Sequence, residues 1–400
     1  MRTDARQLRS RRQPDANQLS LFDESREEAS PRPALVATIE TPALFESTGE
    51  NPTQTVPQPL QRVHRWLQQR AEQRENESRA AGDSANDDPL AVSRDAEHAD
   101  DGGHTGAARA QLAACVLGSG SGGNSTVIRC GAQAMLIDAG FGPRTTEERL
   151  AQVGVPLADV RAICLTHLDQ DHFRPSWIRT IVALGIRVYL HRWHVSYLNQ
   201  YGDAEDLRRA DLLRVFDGQS FEPMDGLRVS TVPLPHDDKG TSAFHVEAVA
   251  GRASNSSDSS APRIGYATDL GHVPDALIDL FAGVDLLMLE SNYDPHLQLT
   301  SSRPAFLKAR IMGDHGHLSN EQALDACRRI AAKSPRGNPQ KIVLLHRSQQ
   351  CNTHELVRQT FASEPMFAKC FTVAQQRRHT PWFAVRPLCA TARQQIGMSF

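Results

Sequence analysis

The chemistry of this chain is concentrated in seven residues. Thr166 to His172 (Thr-His-Leu-Asp-Gln-Asp-His) follow the apolar run RAICL and place four potential metal ligands, His167, Asp169, Asp171 and His172, within six residues. A strand end followed by a tight loop can turn such side chains toward one point. Two cations held close together need carboxylates as well as imidazoles, because anionic ligands offset metal–metal repulsion. The competing reading is a solvated polar turn with chance histidines. Other apolar runs end the same way: His236 follows VSTVPLP, Asp269 follows RIGYAT, and His346 follows KIVLL. Each alone is more often a structural residue. Together, ligands at the ends of several strands are expected to converge on one rim of a layered sheet structure, where active sites of such folds lie.

The elements that must position these residues occupy only part of the 400-residue chain. Residues 1–110 are rich in Gln, Glu, Asp, Ser, Ala and Pro and contain no Lys, so they cannot bury enough apolar surface to offset ordering. They read as a mostly disordered acidic tail with 14 Lys+Arg against 19 Asp+Glu, a net charge of -5. Leu60 to Arg74 breaks the pattern with Leu60, Val63, Trp66 and Leu67 at helical spacing, the signature of a short docking helix. Residues 111–400 read as one catalytic domain with 30 Lys+Arg against 28 Asp+Glu, a net of +2. Short β-branched runs bounded by Gly-rich turns predict strands in LAACVLG, STVIRC, AMLIDAG, RAICLTH, IRVYL, GLRVSTVPL, SAFHVEAVA, RIGYATD, DLLMLES and KIVLLH. Helices are expected at Thr145–Val153 and Pro175–Leu184. Another opens at Ser319 with a Ser-x-x-Gln capping box and carries Ala323, Leu324, Cys327 and Ile330 on one face. Residues 251–262 are a polar insertion, most simply a long hairpin loop. Strands and helices mix without a strict βαβ rhythm, which predicts an α/β domain of layered sheets flanked by helices.

Seven scattered cysteines without a CxxC pair fit a reducing compartment, and the Arg-rich start has no apolar core of a secretory signal. No apolar run approaches the ~20 residues that span a bilayer. A cytoplasmic protein with no membrane partner is expected.

The ligand pattern resembles the metallo-β-lactamase superfamily, whose signature is His-x-His-x-Asp-His followed by a His, an Asp and a last His. The resemblance covers about residues 112–390. It implies a four-layer αββα sandwich with a one- or two-metal site. It also implies that His167, Asp169 and His236 hold one divalent ion, that Asp171, His172 and His346 hold another, and that Asp269 bridges. Asp138 in LIDAG matches the family's structural aspartate. Position 169 is Asp where the family usually has His. Carboxylate is a harder ligand and shifts preference from zinc toward manganese. Such a site would activate water as a nucleophile near neutral pH, with Asp171, Asp169 or Asp269 orienting it and His346 serving the leaving-group side.

Specificity must come from other residues. The loop Gly118 to Ser125, with Ser119 and Asn124, would let backbone N–H groups approach a phosphate; the alternative is a flexible turn. Arg303, Lys308, Arg310, His315 and His317 precede the capped helix and could clamp a phosphodiester backbone, or form a solvated basic face. Together SGSGGNS, PHDD, GHLSNE and HRSQQCNT, with a strand over VAQQRRHTPWF, resemble the YycJ/WalJ branch of the superfamily. That branch is associated with 5′-to-3′ exonuclease activity on DNA and with repair. The resemblance implies His317 as a catalytic group near the scissile phosphate and Lys308 and Arg310 as substrate contacts. Tyr293 stands where that branch would have His, and His191 and His194 have no role in it, reading instead as helix residues near the rim.

Two further readings remain open beside a DNA exonuclease. One is a small-molecule metallo-hydrolase cleaving a phosphodiester, lactone or thioester. The other, motivated by Asp169, is a degenerate domain serving as an adaptor. In the tail, Gln18-Leu19-Ser20-Leu21-Phe22 is similar to the pentapeptide that binds the bacterial sliding clamp. One polar anchor and a Leu/Phe pair suit an apolar groove, and a flexible tether would raise the local concentration at DNA. Replacing Leu21 and Phe22 with Ala should abolish binding of the full chain to purified clamp in a pull-down; persistent binding would refute the motif.

Overall fold

The computed structural model describes residues 112–249 and 261–385. The expectations for residues 1–110, including the Leu60–Arg74 helix and the pentapeptide at 18–22, lie outside the described residues. So does most of the 251–262 insertion.

The apolar runs form strands with both faces covered. One sheet contains β1 (Leu112–Gly118), β2 (Ser125–Cys130), β3 (Gln133–Ile137), β4 (Val160–Cys164), β5 (Arg187–His191), β6 (Leu213–Phe216) and β14 (Phe383–Val385), in the order β14-β1-β2-β3-β4-β5-β6. The other contains β7 (Phe221–Met224), β8 (Leu227–Leu234), β9 (Thr241–Ala248), β10 (Arg263–Ala267), β11 (Leu286–Glu290), β12 (Lys341–Leu345) and β13 (Phe371–Val373), in the order β13-β12-β11-β10-β9-β8-β7. The period-2 alternation of strand side chains divides each run between two cores. Met135 and Ile137 of β3, Tyr266 of β10, Met288 of β11 and Val343 of β12 meet between the sheets. Leu136 turns the other way, toward Leu150, Trp177, Ile181 and Leu207 of the flanking helices. Leu287, Leu289 and Leu344 do the same against Leu277, Phe281, Leu324, Ile330 and Phe361. The result is the four-layer αββα sandwich.

Within this frame β3 to β6 run parallel, and so do β10 to β13. Parallel strands put their C-terminal ends on one edge. β8 is antiparallel to β9, which is antiparallel to β10, so β8 ends on that edge too. Asp138, Thr166, His236, Asp269, Glu290 and His346 therefore come to one rim. Asp138, Asp269 and His346 have φ of 62°, 55° and 50°. This left-handed conformation is costly for a non-glycine residue, and it persists where surrounding contacts impose it.

The expected helices form at Pro143–Gln152 and Trp177–Leu184, close to their expected spans, and at Asn320–Lys333, among others. Ser319 Oγ accepts from Gln322 N at 3.2 Å, and Ser319 N donates to Gln322 Oε1 at 2.8 Å, completing the capping box. One expectation fails: VAQQRRHTPWF is not one strand. Val373 ends β13 and Phe383 begins β14, in different sheets, and the polar residues between them cross the molecule. Gln376 in this crossing donates to Gly123 O at 2.9 Å and accepts from Gly122 N at 2.8 Å. Polar side chains suit a segment that buttresses the Gly-rich loop rather than a buried sheet.

Gly140 shows how closely the rim is packed. A Cβ there would lie 1.8 Å from the Asp171 carbonyl oxygen, which is held by Asn124 N at 2.7 Å. Gly140→Ala should therefore push the Asp171 loop outward and cost about 2 kcal/mol or more, read as a lower midpoint in denaturant unfolding.

Candidate metal centre

The rim is built outward from one carboxylate. Asp138 is fully buried; its Oδ1 accepts from Thr166 N and Thr166 Oγ1, both at 2.9 Å. Its Oδ2 lies 2.8 Å from His172 Nδ1. Thr166 Oγ1, donating to Asp138, is left to accept from His167 Nδ1 at 3.0 Å. Asp138 thus sets the tautomer of both motif histidines, the proton on Nδ1 and the lone pair on Nε2. His236 follows the same rule: its Nδ1 donates to Gly316 O at 3.1 Å. His346 Nδ1 lies 2.9 Å from Glu290 Oε1 and 3.0 Å from Asp269 Oδ1. All four imidazoles turn Nε2 away from their anchoring partners, the form in which histidine binds a cation.

The donor atoms gather in overlapping groups. His167, His236 and Asp269 form one, Asp171, His172 and His346 a second, and Asp269, Glu290, His317 and His346 a third. Asp269 joins them, with Oδ2 2.9 Å from His172 Nε2 and Oδ1 near His346 and His317. Burial alone would hold His172 neutral, but the Asp269, Asp138 and Asp171 carboxylates outweigh it and push its proton affinity well above the ordinary range. Burial likewise opposes charge on Asp269, yet His346 and His172 hold its carboxyl well below the usual carboxylate range. His167, buried and beside His172, is held well below its ordinary value. Buried carboxylates need compensating positive charge. In this arrangement imidazolium supplies it, and divalent cations on the Nε2 lone pairs would supply it better. The residues present fit a metal centre of N and O donors.

Asp169 lies at the solvent edge of the donor set. Its side chain is about one-third exposed, with Oδ2 3.9 Å from His167 Nε2 and Oδ1 3.8 Å from Lys239 Nζ, and it also groups with His236 and Asp237. Glu290 was missed from sequence. It is fully buried at the end of β11; Oε2 accepts from Leu270 N and Leu318 N, both at 3.1 Å, and Oε1 faces His317 Nδ1 at 2.9 Å. Its position directly after an apolar run was the available signal, the same one that marked Asp269 and His346. Burial would lower the basicity of His317, but Glu290 outweighs it and raises it.

The expected phosphate contacts are arranged differently. In the Gly-rich loop, Ser119 N, Gly120 N, Gly122 N, Gly123 N and Asn124 N all bond within the chain. These five donors are spent on shaping the loop. Ser119 Oγ donates to Asn124 Oδ1 at 2.9 Å and accepts from His346 N at 2.8 Å; Asn124 Nδ2 lies 3.0 Å from His172 Nε2 and 3.3 Å from Asp171 Oδ2. Both side chains are buried and act on ligand residues. Lys308 Nζ bonds Leu299 O at 2.7 Å, Arg303 bonds Gln350 and Gln298, and exposed Arg310 forms a two-point pair with Asp237. His315 Nδ1 faces Asp237 O. Of the two histidines without an assigned role, His191 ends β5 with Nδ1 accepting from Trp193 N, and His194 is buried in the following turn. Tyr293 is buried behind the rim.

Residues 133–346 match the family described as the beta-lactamase superfamily domain. The chain is 25% identical over 251 residues to the Exodeoxyribonuclease WalJ of Streptococcus pneumoniae serotype 2, covering 62% of this chain and 86% of that protein. It is 25% identical over 268 residues to the Exodeoxyribonuclease YycJ of Bacillus anthracis, covering 65% of this chain and 91% of that one. A 75-residue stretch is 41% identical to the Ribonuclease Z of Mycobacterium tuberculosis, 17% of this chain and 26% of that protein.

Because Asp138 reaches His167 only through Thr166, Thr166→Val should weaken metal binding at His167 while leaving the His172 contact. Asp138→Ala should weaken both, by about 10–100-fold. Competitive chelator titration of the purified protein reads both affinities.

Proposed function

The chain belongs to the beta-lactamase superfamily, and on that premise we propose that this metal-dependent hydrolase is a phosphodiesterase acting on DNA, a cytoplasmic 5′-to-3′ exonuclease of replication or repair. The observation that carries the reading is the convergence of His167, His172, His236 and His346 with Asp171 and Asp269 on one rim, every imidazole anchored through Nδ1. Support for DNA comes from the exodeoxyribonucleases that the chain resembles over most of their length. Polarity follows from the branch resemblance of GHLSNE and HRSQQCNT, and the pentapeptide at 18–22 would tether the enzyme to the sliding clamp.

Two divalent ions, zinc or manganese, would be held by His167, His236 and Asp269 and by Asp171, His172, His346 and Asp269. A cation bound there lowers the pKa of water and offsets charge developing on a phosphoryl group. The chain's own residues do the rest. Asp171, partly open to solvent with Oδ2 3.3 Å from His346 Nε2, would orient the attacking water and take its proton. His317 is held at Nδ1 by Glu290 on the opposite wall, which leaves Nε2 to protonate the leaving alkoxide. Ser119 fixes His346 through its backbone N–H, so the Gly-rich loop acts on the ligand set.

A second reading, a small-molecule phosphodiester, lactone or thioester hydrolase, is favoured by one observation. Lys308, Arg303 and Arg310 are engaged within the chain. Replacing Lys308 and Arg310 together with Ala should slow a nuclease but leave such a hydrolase nearly unaffected.

The deciding assay uses labelled duplexes blocked at the 5′ or 3′ end, with manganese or zinc. Protection by the 5′ block alone is expected. No cleavage with any metal, while small phosphodiesters turn over, would replace the nuclease with the second reading. Asp171→Ala should lose both activities. His317→Ala should lower kcat on DNA by about 10²–10⁴-fold but act less on bis(p-nitrophenyl) phosphate, whose leaving group departs without a proton.

A further inference from the structure

Of the large apolar side chains that the described residues expose, two are aromatic: Trp193 at 49% and Phe306 at 74%. Trp193 borders the turn 236–240, which carries His236, and Phe306 lies on a helix that reaches the same turn. Trp193 lies against Gly240, where an added Cβ would come within 2.8 Å of the indole ring. Gly240, at φ 70°, donates its N–H to His236 O at 2.7 Å. On the other side, the helix Ala305–Met312 reaches the turn through Arg310, which pairs with Asp237. Phe306 stands one helical turn before Arg310, on the same face.

A cation lies next along the chain to each contact: Lys239 precedes the Gly240 on which Trp193 packs, and Arg310 lies one helical turn after Phe306. Lys239 adjoins Gly240; its Nζ is 4.7 Å from the Tyr197 ring centre and 3.8 Å from Asp169 Oδ1, with its side chain about 39% exposed. Arg310 is more exposed still. Lys239 is held by Asp169 on exposed ground, where such a pair is worth little and exchanges readily for a phosphate; Arg310 keeps donors facing solvent beside its two-point pair with Asp237. An aromatic face with an adjoining cation is the arrangement that holds an unpaired nucleotide, base on ring and phosphate on charge. A base inside a duplex is stacked on both faces, whereas an unpaired base at the end can be splayed out and offers its faces to a side chain.

We propose that Trp193 with Lys239, and Phe306 with Arg310, form a rim that stacks unpaired bases at the end of the DNA, so that the enzyme prefers frayed or single-stranded ends. This rests on the exonuclease reading and adds the form of the substrate. The first test is binding of a fluorescent oligothymidylate with cleavage-resistant phosphorothioate linkages to the full, metal-loaded chain. Trp193→Leu should weaken binding by about tenfold or more, whereas Trp193→Phe should stay within about twofold. Lys239→Met, which leaves the ring in place, should weaken binding and reduce the slope against log salt by about 0.7. With metal, the wild type should degrade a duplex with two mismatched terminal pairs faster than a fully paired one. Trp193→Leu should lose that preference through KM rather than kcat, and Phe306→Leu should do so in part. Wild-type binding by Trp193→Leu, or equal wild-type rates on both duplexes, overturns the rim while the exonuclease stands. Failure of the wild type to bind or cut any DNA overturns both.

Discussion

The buried carboxylate of Asp138 is the interaction on which the rim depends. It ends β3 in a left-handed conformation that few residues adopt without compensation. Its backbone N–H bonds Cys164 O at 3.0 Å, tying the end of β3 to β4. Its two oxygens take Thr166 and His172, and through Thr166 they reach His167. An ionised group without solvent is costly unless every lone pair is used. Burial still pushes the Asp138 carboxyl up, and the same contacts that offset part of that cost also orient the two motif histidines. The structural requirement and the chemical one are met by one set of hydrogen bonds.

The centre exists only where the two sheets meet. Asp138, His167, Asp171 and His172 come from the first sheet and its loops; His236, Asp269, Glu290, His317 and His346 come from the second. Cross-sheet hydrogen bonds fix the two halves: His346 N to Ser119 Oγ at 2.8 Å, and Ser242 N to Thr166 O at 3.1 Å. The apolar core between the sheets sets their spacing, so packing of Met135, Tyr266, Met288 and Val343 sets ligand distances as well. Glu290 completes this logic. It anchors Leu270 and Leu318 backbone beside Asp269 and His317, and its other oxygen holds the imidazoles of His317 and His346.

Much of this was legible in the sequence because the signal is repetitive. Doubly buried parallel strands read as unbroken apolar runs, and a polar residue that ends such a run at a shared edge has few places to go. His167, His236, Asp269 and His346 were found that way. Glu290 carries the same signal, but Glu also ends strands as a solvated residue, and only the fold shows it buried. Ser119 and Asn124 were legible as a loop near the chemistry. Their bonds to His346 and His172 span 227 and 48 residues and depend on register. The short strands β6, β7, β13 and β14 carry too few residues for periodicity to declare itself. The VAQQRRHTPWF error arose because apolar residues at both ends of the segment mimic one strand while belonging to two sheets.

Asp169 acquires a different meaning from its surroundings. In the motif it occupies a ligand position, yet the inner groups close through His167, His236 and Asp269 without it. Its carboxylate faces Lys239, as Asp237 faces Arg310, so the mouth of the site carries two acid–base pairs around a buried, carboxylate-rich interior. An anionic substrate approaching such an interior meets repulsion until cations neutralise it. The outer pairs moderate that repulsion without creating a strong field, since each cation is partly cancelled by its own aspartate. A domain with a net charge of only +2 then attracts DNA weakly at long range. For a nucleic-acid substrate, retention would then fall to contacts at the mouth.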